Sequence, residues 1–227
     1  LRPFIALILL TCIGLNTSLC DDVDPARFDK AIGAIDKQIA SGASRSGEIL
    51  FIGSSSIRLW DLKKSFPGTA YKNHGFGGSH ISDSVHFFER IVTPVKPSAI
   101  VFYAGDNDLA GKKTPETVVA DFRKFLTLVE EKCPECRAVL FIAIKPSTKR
   151  WELRDAQKTT NAAIAEMVSS NPNVHFVDVW DAMLGPDGTP RQELFVEDGL
   201  HMTPAGYEIW TTMVAEKLKA ALQQPIR

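Results

Sequence analysis

The sequence predicts an α/β domain with a mainly parallel sheet covered by helices on both faces, and three observations carry that prediction. Short apolar runs recur along the chain, each ending in Gly, Lys-Pro or Asp as buried strands do. Between them lie runs with apolar residues at steps of three or four, and three of these open on a capping residue followed by proline. The two kinds alternate, as they do where parallel strands are joined by crossover helices.

Taken in order, Asp24-Pro25 opens the first helix, whose apolar face is Phe28, Ile32, Ile35 and Ile39. Ile49 to Ile52 is the first buried strand, and Tyr71 to His74 a weaker second one. Ala99 to Ala104 follows as a third strand. Thr114-Pro115 then starts a helix carrying Val118, Phe122, Phe125 and Val129 on one face. Ala138 to Ile144 is the fourth strand, 154–169 a helix, and Val174 to Val179 the fifth strand. Thr203-Pro204 opens the last helix, with Tyr207, Trp210, Val214 and Leu218 facing inward. Right-handed crossovers fix most of the topology. No internal repeat or linker divides the chain, so one domain over 21–227 is expected.

With 26 basic and 27 acidic side chains, the formal charge of −1 offers no bulk attraction to nucleic acid or an anionic surface. The N-terminus departs from the rest: Arg2 precedes an apolar stretch from Phe4 to Leu15, then small and polar residues up to Cys20. That stretch has the length of a secretory signal core and falls short of the ~20 residues that span a bilayer. Residues 1–20 therefore read as an export signal, with an uncleaved anchor or a lipid on Cys20 as rivals. A secreted or periplasmic domain with no membrane span of its own is expected. Export would leave Cys133 and Cys136, in Cys-Pro-Glu-Cys, as the cysteines of the mature domain. An oxidising compartment favours a local disulfide between them, with free thiols as the alternative.

The chemistry is sought where strands end, because open α/β sheets bind ligands outside the strand C-termini near a topological switch point. Four segments qualify: Gly53-Ser54-Ser55-Ser56, Gly75-Phe76-Gly77-Gly78-Ser79, Gly105-Asp106-Asn107-Asp108 and Asp198-Gly199-Leu200-His201. Singly, each is explained by turn and cap chemistry. Their occurrence together, in this order, is harder to ascribe to turns.

On these four blocks, from about Glu48 to Trp210, the chain resembles the SGNH hydrolases, the GDSL-type esterases and lipases. The resemblance assigns the nucleophile to Ser55, an oxyanion glycine to Gly78, an oxyanion amide to Asn107, and the acid and base to Asp198 and His201. It departs at Ser54, which stands where the family usually has Asp. The fold it implies is a three-layer sandwich with a flavodoxin-like five-stranded sheet of order 2-1-3-4-5, which sets Ser55 and Asn107 at one crevice.

The residue chemistry agrees. A serine hydroxyl is a poor nucleophile until a base takes its proton, and histidine is the side chain whose ordinary pKa suits that task. Asp198, three residues before His201, can orient the imidazole across a tight turn. The backbone N–H groups of Ser55 and Gly78, with the Asn107 amide, could then stabilise an oxyanion. The expected activity is hydrolysis of carboxylic esters of small-molecule or carbohydrate substrates. Small acyl groups such as acetyl are favoured because little chain is left for a lid, and neither metal nor organic cofactor is needed. Two alternatives remain: a metal-dependent phosphoesterase using Asp106 and Asp108, and a non-catalytic carbohydrate-binding or envelope module. Trp60, Trp180 and Trp210 read as packing aromatics, Trp151 as the one nearest the crevice rim, and His74, His80, His86 and His175 as structural.

Overall fold

The computed structural model describes residues 24–42 and 47–223; the export segment inferred over 1–20 lies outside them. Five strands form one sheet: β1 (Ile49–Gly53), β2 (Lys72–Gly75), β3 (Ala99–Tyr103), β4 (Ala138–Ile142) and β5 (Val174–Val177). Their order is β2-β1-β3-β4-β5, and every neighbouring pair is parallel. The sheet is therefore wholly parallel, in the strand order expected. The helices are α1 (Asp29–Ala40), α2 (Ser55–Arg58), α3 (Leu62–Ser65), α4 (Ile81–His86), α5 (Phe88–Ile91), α6 (Asp106–Ala110), α7 (Pro115–Lys132), α8 (Arg154–Val168) and α9 (Pro204–Gln223).

Period-two alternation along the strands divides the core into two layers. Leu50, Ile52, Ile100, Phe102, Val139 and Phe141 face α1, α4, α5, α7 and α8, while Phe51, Val101, Tyr103, Leu140 and Ile142 face α2, α3 and α9. Phe102, Phe122, Phe125 and Phe141 pack as one ring cluster on the first side, with centroids as close as 4.5 Å. On the second side Trp60 stacks on Tyr207 and meets Trp210 edge-on, beside Tyr103. Burying rings of this size is worth roughly 2 kcal/mol or more apiece.

Two of the three expected capping residues accept N–H groups of their first turns, whereas the Thr203 hydroxyl before α9 donates to the Glu193 carbonyl. Thr114 accepts from the Thr117 N–H at the start of α7. Asp24 accepts from the Ala26 N–H but caps a 3₁₀ turn, Pro25–Phe28, and the α-helix begins only at Asp29. The fourth strand ends two residues before the expected Ile144, because the Asn161 side chain takes over both Ile144 backbone groups at 2.8 Å each.

The local disulfide is not formed: Cys133 and Cys136 are free thiols. A tight turn, with the Cys136 N–H donating to the Cys133 carbonyl at 2.8 Å, directs the two side chains to different neighbours. Cys133 joins the core, and Cys136 Sγ donates to the Ala138 carbonyl. Burial raises both thiols, Cys133 to about 11 and Cys136 to about 12, so both stay protonated near neutrality.

Candidate active site

β1 ends at a backbone contact that admits only glycine. Gly53 has φ +139°, and a Cβ there would lie 1.9 Å from the Tyr103 carbonyl oxygen of the adjoining strand. The Ser54 N–H donates to that same oxygen at 2.9 Å, which turns the chain sharply out of the sheet and starts α2 at Ser55. The three serines part here. Ser54 and Ser56 are buried, whereas Ser55 is half-buried and its Oγ lies 3.0 Å from His201 Nε2.

His201 arrives on a short hairpin-like turn after Phe195. Phe195 and Met202 form an antiparallel bridge, the Val196 N–H donates to the His201 carbonyl, and the Gly199 N–H to that of Val196. Gly199 has a left-handed φ of +66°, and a Cβ there would meet Thr148 Oγ1 at 2.4 Å, so only glycine fits. The Gly199 carbonyl is held from outside by the Thr148 hydroxyl and the Lys149 N–H, at 3.0 and 2.9 Å. Asp198 uses one oxygen for the Leu200 and His201 N–H groups and turns the other to His201 Nδ1 at 2.5 Å. Burial alone would raise its carboxyl, but the hydrogen bonds from the His201 ring and from the two N–H groups, with the imidazole charge, outweigh that. Together they bring it down to about 2. With Nδ1 facing a carboxylate, the ring proton belongs there and Nε2 is left as an acceptor for the Ser55 hydroxyl.

The glycine turn and α6 complete the crevice. Gly75 lets β2 end against α2, where a Cβ would fall 2.4 Å from the Arg58 nitrogen, and Gly78 has φ +82° with open space before it. Among the described residues, the backbone N–H groups of Ser55 and Gly78 meet no acceptor. Asn107 Nδ2 donates to the Ser79 carbonyl at 3.1 Å, tying α6 to the glycine turn. Asp108 accepts from the Ile81 N–H at the head of α4 and from Lys113 Nζ, which also reaches Ser82 and Asp121. Asp106 is equally committed: Arg150 Nη1 and Gln157 Nε2 bond its two oxygens at 2.7 and 3.0 Å. The two carboxylates serve different cations on opposite sides of α6, so they do not converge on a shared divalent site.

Sequence reading did not assign Arg150, Gln157, Thr148 or Lys113 to the site. A buried acid such as Asp106 requires a partner, but nothing in the order of residues says that the partner lies more than forty positions away. Trp151 stacks on Trp180 and lines an open cleft of about 740 Å³ with Thr148 and residues of the 185–193 segment, a cleft whose lining includes neither Ser55 nor His201. Trp60 and Trp210 are core residues, and His74 is buried with Nδ1 at 2.7 Å from the Ile91 carbonyl.

A serine, a histidine and an aspartate joined by hydrogen bonds at the C-terminal edge of a 2-1-3-4-5 parallel sheet form an arrangement suited to ester cleavage. The family model of the GDSL-like lipase/acylhydrolase family matches residues 58–209, and the chain belongs to that family. The match begins three residues after Ser55, so the serine block is read from its own geometry. Platelet-activating factor acetylhydrolase IB subunit alpha1 of Homo sapiens is 24% identical over 178 residues, covering 74% of each chain. A GDSL-like lipase from Bacteroides thetaiotaomicron superposes with a TM-score of 0.69 at 21% identity, over 87% of this chain and 98% of that one. A carbohydrate esterase family 3 structure from Talaromyces cellulolyticus gives 0.62 at 17% identity, over 79% and 100%. The chain is an ester hydrolase of this family.

Proposed function

We propose that the hydrolysis runs through an acyl-enzyme on Ser55, with His201 as base and Asp198 as orienting acid. The observation that carries this reading is the continuous line from Asp198 Oδ2 to His201 Nδ1 and from His201 Nε2 to Ser55 Oγ. Ser55 Oγ bonds to the substrate carbonyl carbon while its proton passes to His201 Nε2, and Asp198 balances the imidazolium. The negative charge on the carbonyl oxygen is met by the Ser55 and Gly78 N–H groups and the Asn107 amide, each such donor contributing about 10² to 10³ in rate. The carbon–oxygen bond to the alcohol then breaks, and the leaving oxygen takes the proton from His201. Water, losing a proton to His201, attacks the acyl carbon; the bond to Ser55 Oγ breaks, Oγ takes the proton back from His201, and the carboxylic acid leaves.

Small acyl groups, acetyl foremost, are the proposed acyl part. Support comes from the acetyl group in the name of the human relative and from the continuous single domain, with no inserted lid among the described residues. The test has two arms. A fluorophosphonate should label the wild type and Ser54→Ala but not Ser55→Ala, and p-nitrophenyl esters should turn over more slowly as the acyl chain lengthens. Labelling retained in Ser55→Ala would remove the nucleophile, and rates rising toward octanoate would remove the acyl preference.

We also infer export, from the apolar stretch Phe4 to Leu15 ahead of the acidic Asp21-Asp22. N-terminal sequencing of protein recovered outside the cytoplasm should begin near residue 21; an uncut N-terminus would refute cleavage.

A further inference from the structure

The geometry points to Arg150 as a positioning residue that sets which way the Asn107 amide faces, an inference that rests on the oxyanion role proposed for Asn107. Arg150 comes from the segment between β4 and α8, far in sequence from α6. Its guanidinium forks: Nη1 donates to Asp106 Oδ2 at 2.7 Å and Nη2 to Asn107 Oδ1 at 3.0 Å. Asp106 is itself fixed from behind by Gln157 of α8, whose Nε2 donates to its other oxygen at 3.0 Å. The side chain of Asp106 is only 6% exposed and that of Arg150 18%, so the fork is shielded from competing water.

A primary amide can occupy its site in two orientations that differ by exchange of oxygen and nitrogen. Here each end is read by a group of fixed polarity. Arginine has only donors, so it accepts only the amide oxygen as a neighbour. On the other side the Ser79 carbonyl has only lone pairs and takes one hydrogen of Nδ2 at 3.1 Å. Exchanging the amide would set NH₂ against guanidinium and oxygen against carbonyl, losing two hydrogen bonds and adding two repulsions. The amide is therefore locked with a second Nδ2 hydrogen left for the carbonyl oxygen of the substrate. The guanidinium charge on the amide oxygen also polarises the group and makes that N–H a stronger donor. Lysine cannot replace this arrangement, because one ammonium does not present two parallel donors to a carboxylate and an amide.

The test is a double-mutant cycle on kcat with a p-nitrophenyl ester. Arg150→Ala should lower kcat by about 10- to 100-fold, no more than Asn107→Ala does by the usual loss of one oxyanion donor, with KM within about threefold. In the Asn107→Ala background the same change should alter kcat by less than about threefold, because the group it acts through is gone. Arg150→Lys should keep the melting temperature near that of the wild type without restoring the rate. Should Arg150→Ala fail to fold, Asp106→Asn with Arg150→Met removes both buried charges together and enters the same cycle. Multiplying effects, full activity in Arg150→Ala, or full rescue by lysine would overturn the clamp while leaving Asn107 in place. Wild-type kcat in Asn107→Ala would overturn the oxyanion reading, and the clamp with it.

Discussion

At the scale of single residues, the role proposed for Asp198 would join structure and chemistry in one carboxylate. One oxygen closes the turn through the Leu200 and His201 N–H groups, and the other holds the imidazole. Asp198→Asn separates the two tasks. The amide oxygen can still close the turn, but the remaining NH₂ meets His201 Nδ1 as a donor and forces the ring proton to Nε2, where it blocks the approach of the Ser55 proton. We expect kcat to fall by about 10³ to 10⁴ with the melting temperature little changed; a loss below tenfold would show that Asp198 does not set the tautomer. The depressed carboxyl carries a pH signature as well. Because its folded-state pKa lies below the ordinary carboxylate value, ionised Asp198 favours the fold above that range, and the contribution is lost as pH falls toward about 2.

At the scale of elements, the crevice is assembled by ties between helices that share no sequence neighbourhood. Lys113, buried between α6 and α7, joins Asp108, Asp121 and Ser82. Burial opposes its charge, but Asp108 and Asp121 outweigh that and hold the ammonium above the usual lysine range. Burial also raises Asp108, despite Lys113. Lys113→Met would leave these carboxylates without their cation, at a cost of about 3–5 kcal/mol measured by the denaturation midpoint. The deficit should shrink on mild acidification, because a carboxyl whose pKa is raised by folding is favoured in its protonated form. A midpoint unchanged at pH 7 would show that the tie carries no stability. Since Asp108 also takes the Ile81 N–H, the same variant loosens the glycine turn relative to Asn107 and should lower kcat too.

These ties mark the boundary of what the order of residues discloses. Strands and long helices were legible because their signals are local: Pro after a cap at residues 24, 114 and 203, and unbroken apolar runs for β3 and β4. The four site blocks were legible because each lies at a strand end or in one tight turn. Arg150, Gln157 and Thr148 were not, because their partners are fixed by how separate elements pack, and a single arginine in a polar loop has the same local pattern whether it is clamped or solvated. The short helix α2 was not legible, since four residues give no period to detect. The disulfide expectation failed because spacing constrains the backbone but not which way two side chains turn.

At the scale of the whole molecule, two hydrophobic layers sandwich one sheet, and no covalent cross-link joins the described residues. The fold rests on burial, hydrogen bonds and ion pairs such as those of Lys113. Thermal unfolding should occur at the same temperature with and without dithiothreitol, and a drop of several degrees under reduction would reveal a bond that forms in solution. The two thiols near the end of α7, held protonated in apolar surroundings, make the domain indifferent to the redox state of its medium. A hydrolase built this way needs no oxidant or isomerase to mature. Its active shape would form equally in a reducing or an oxidising medium, so folding does not depend on where in or outside the cell it takes place.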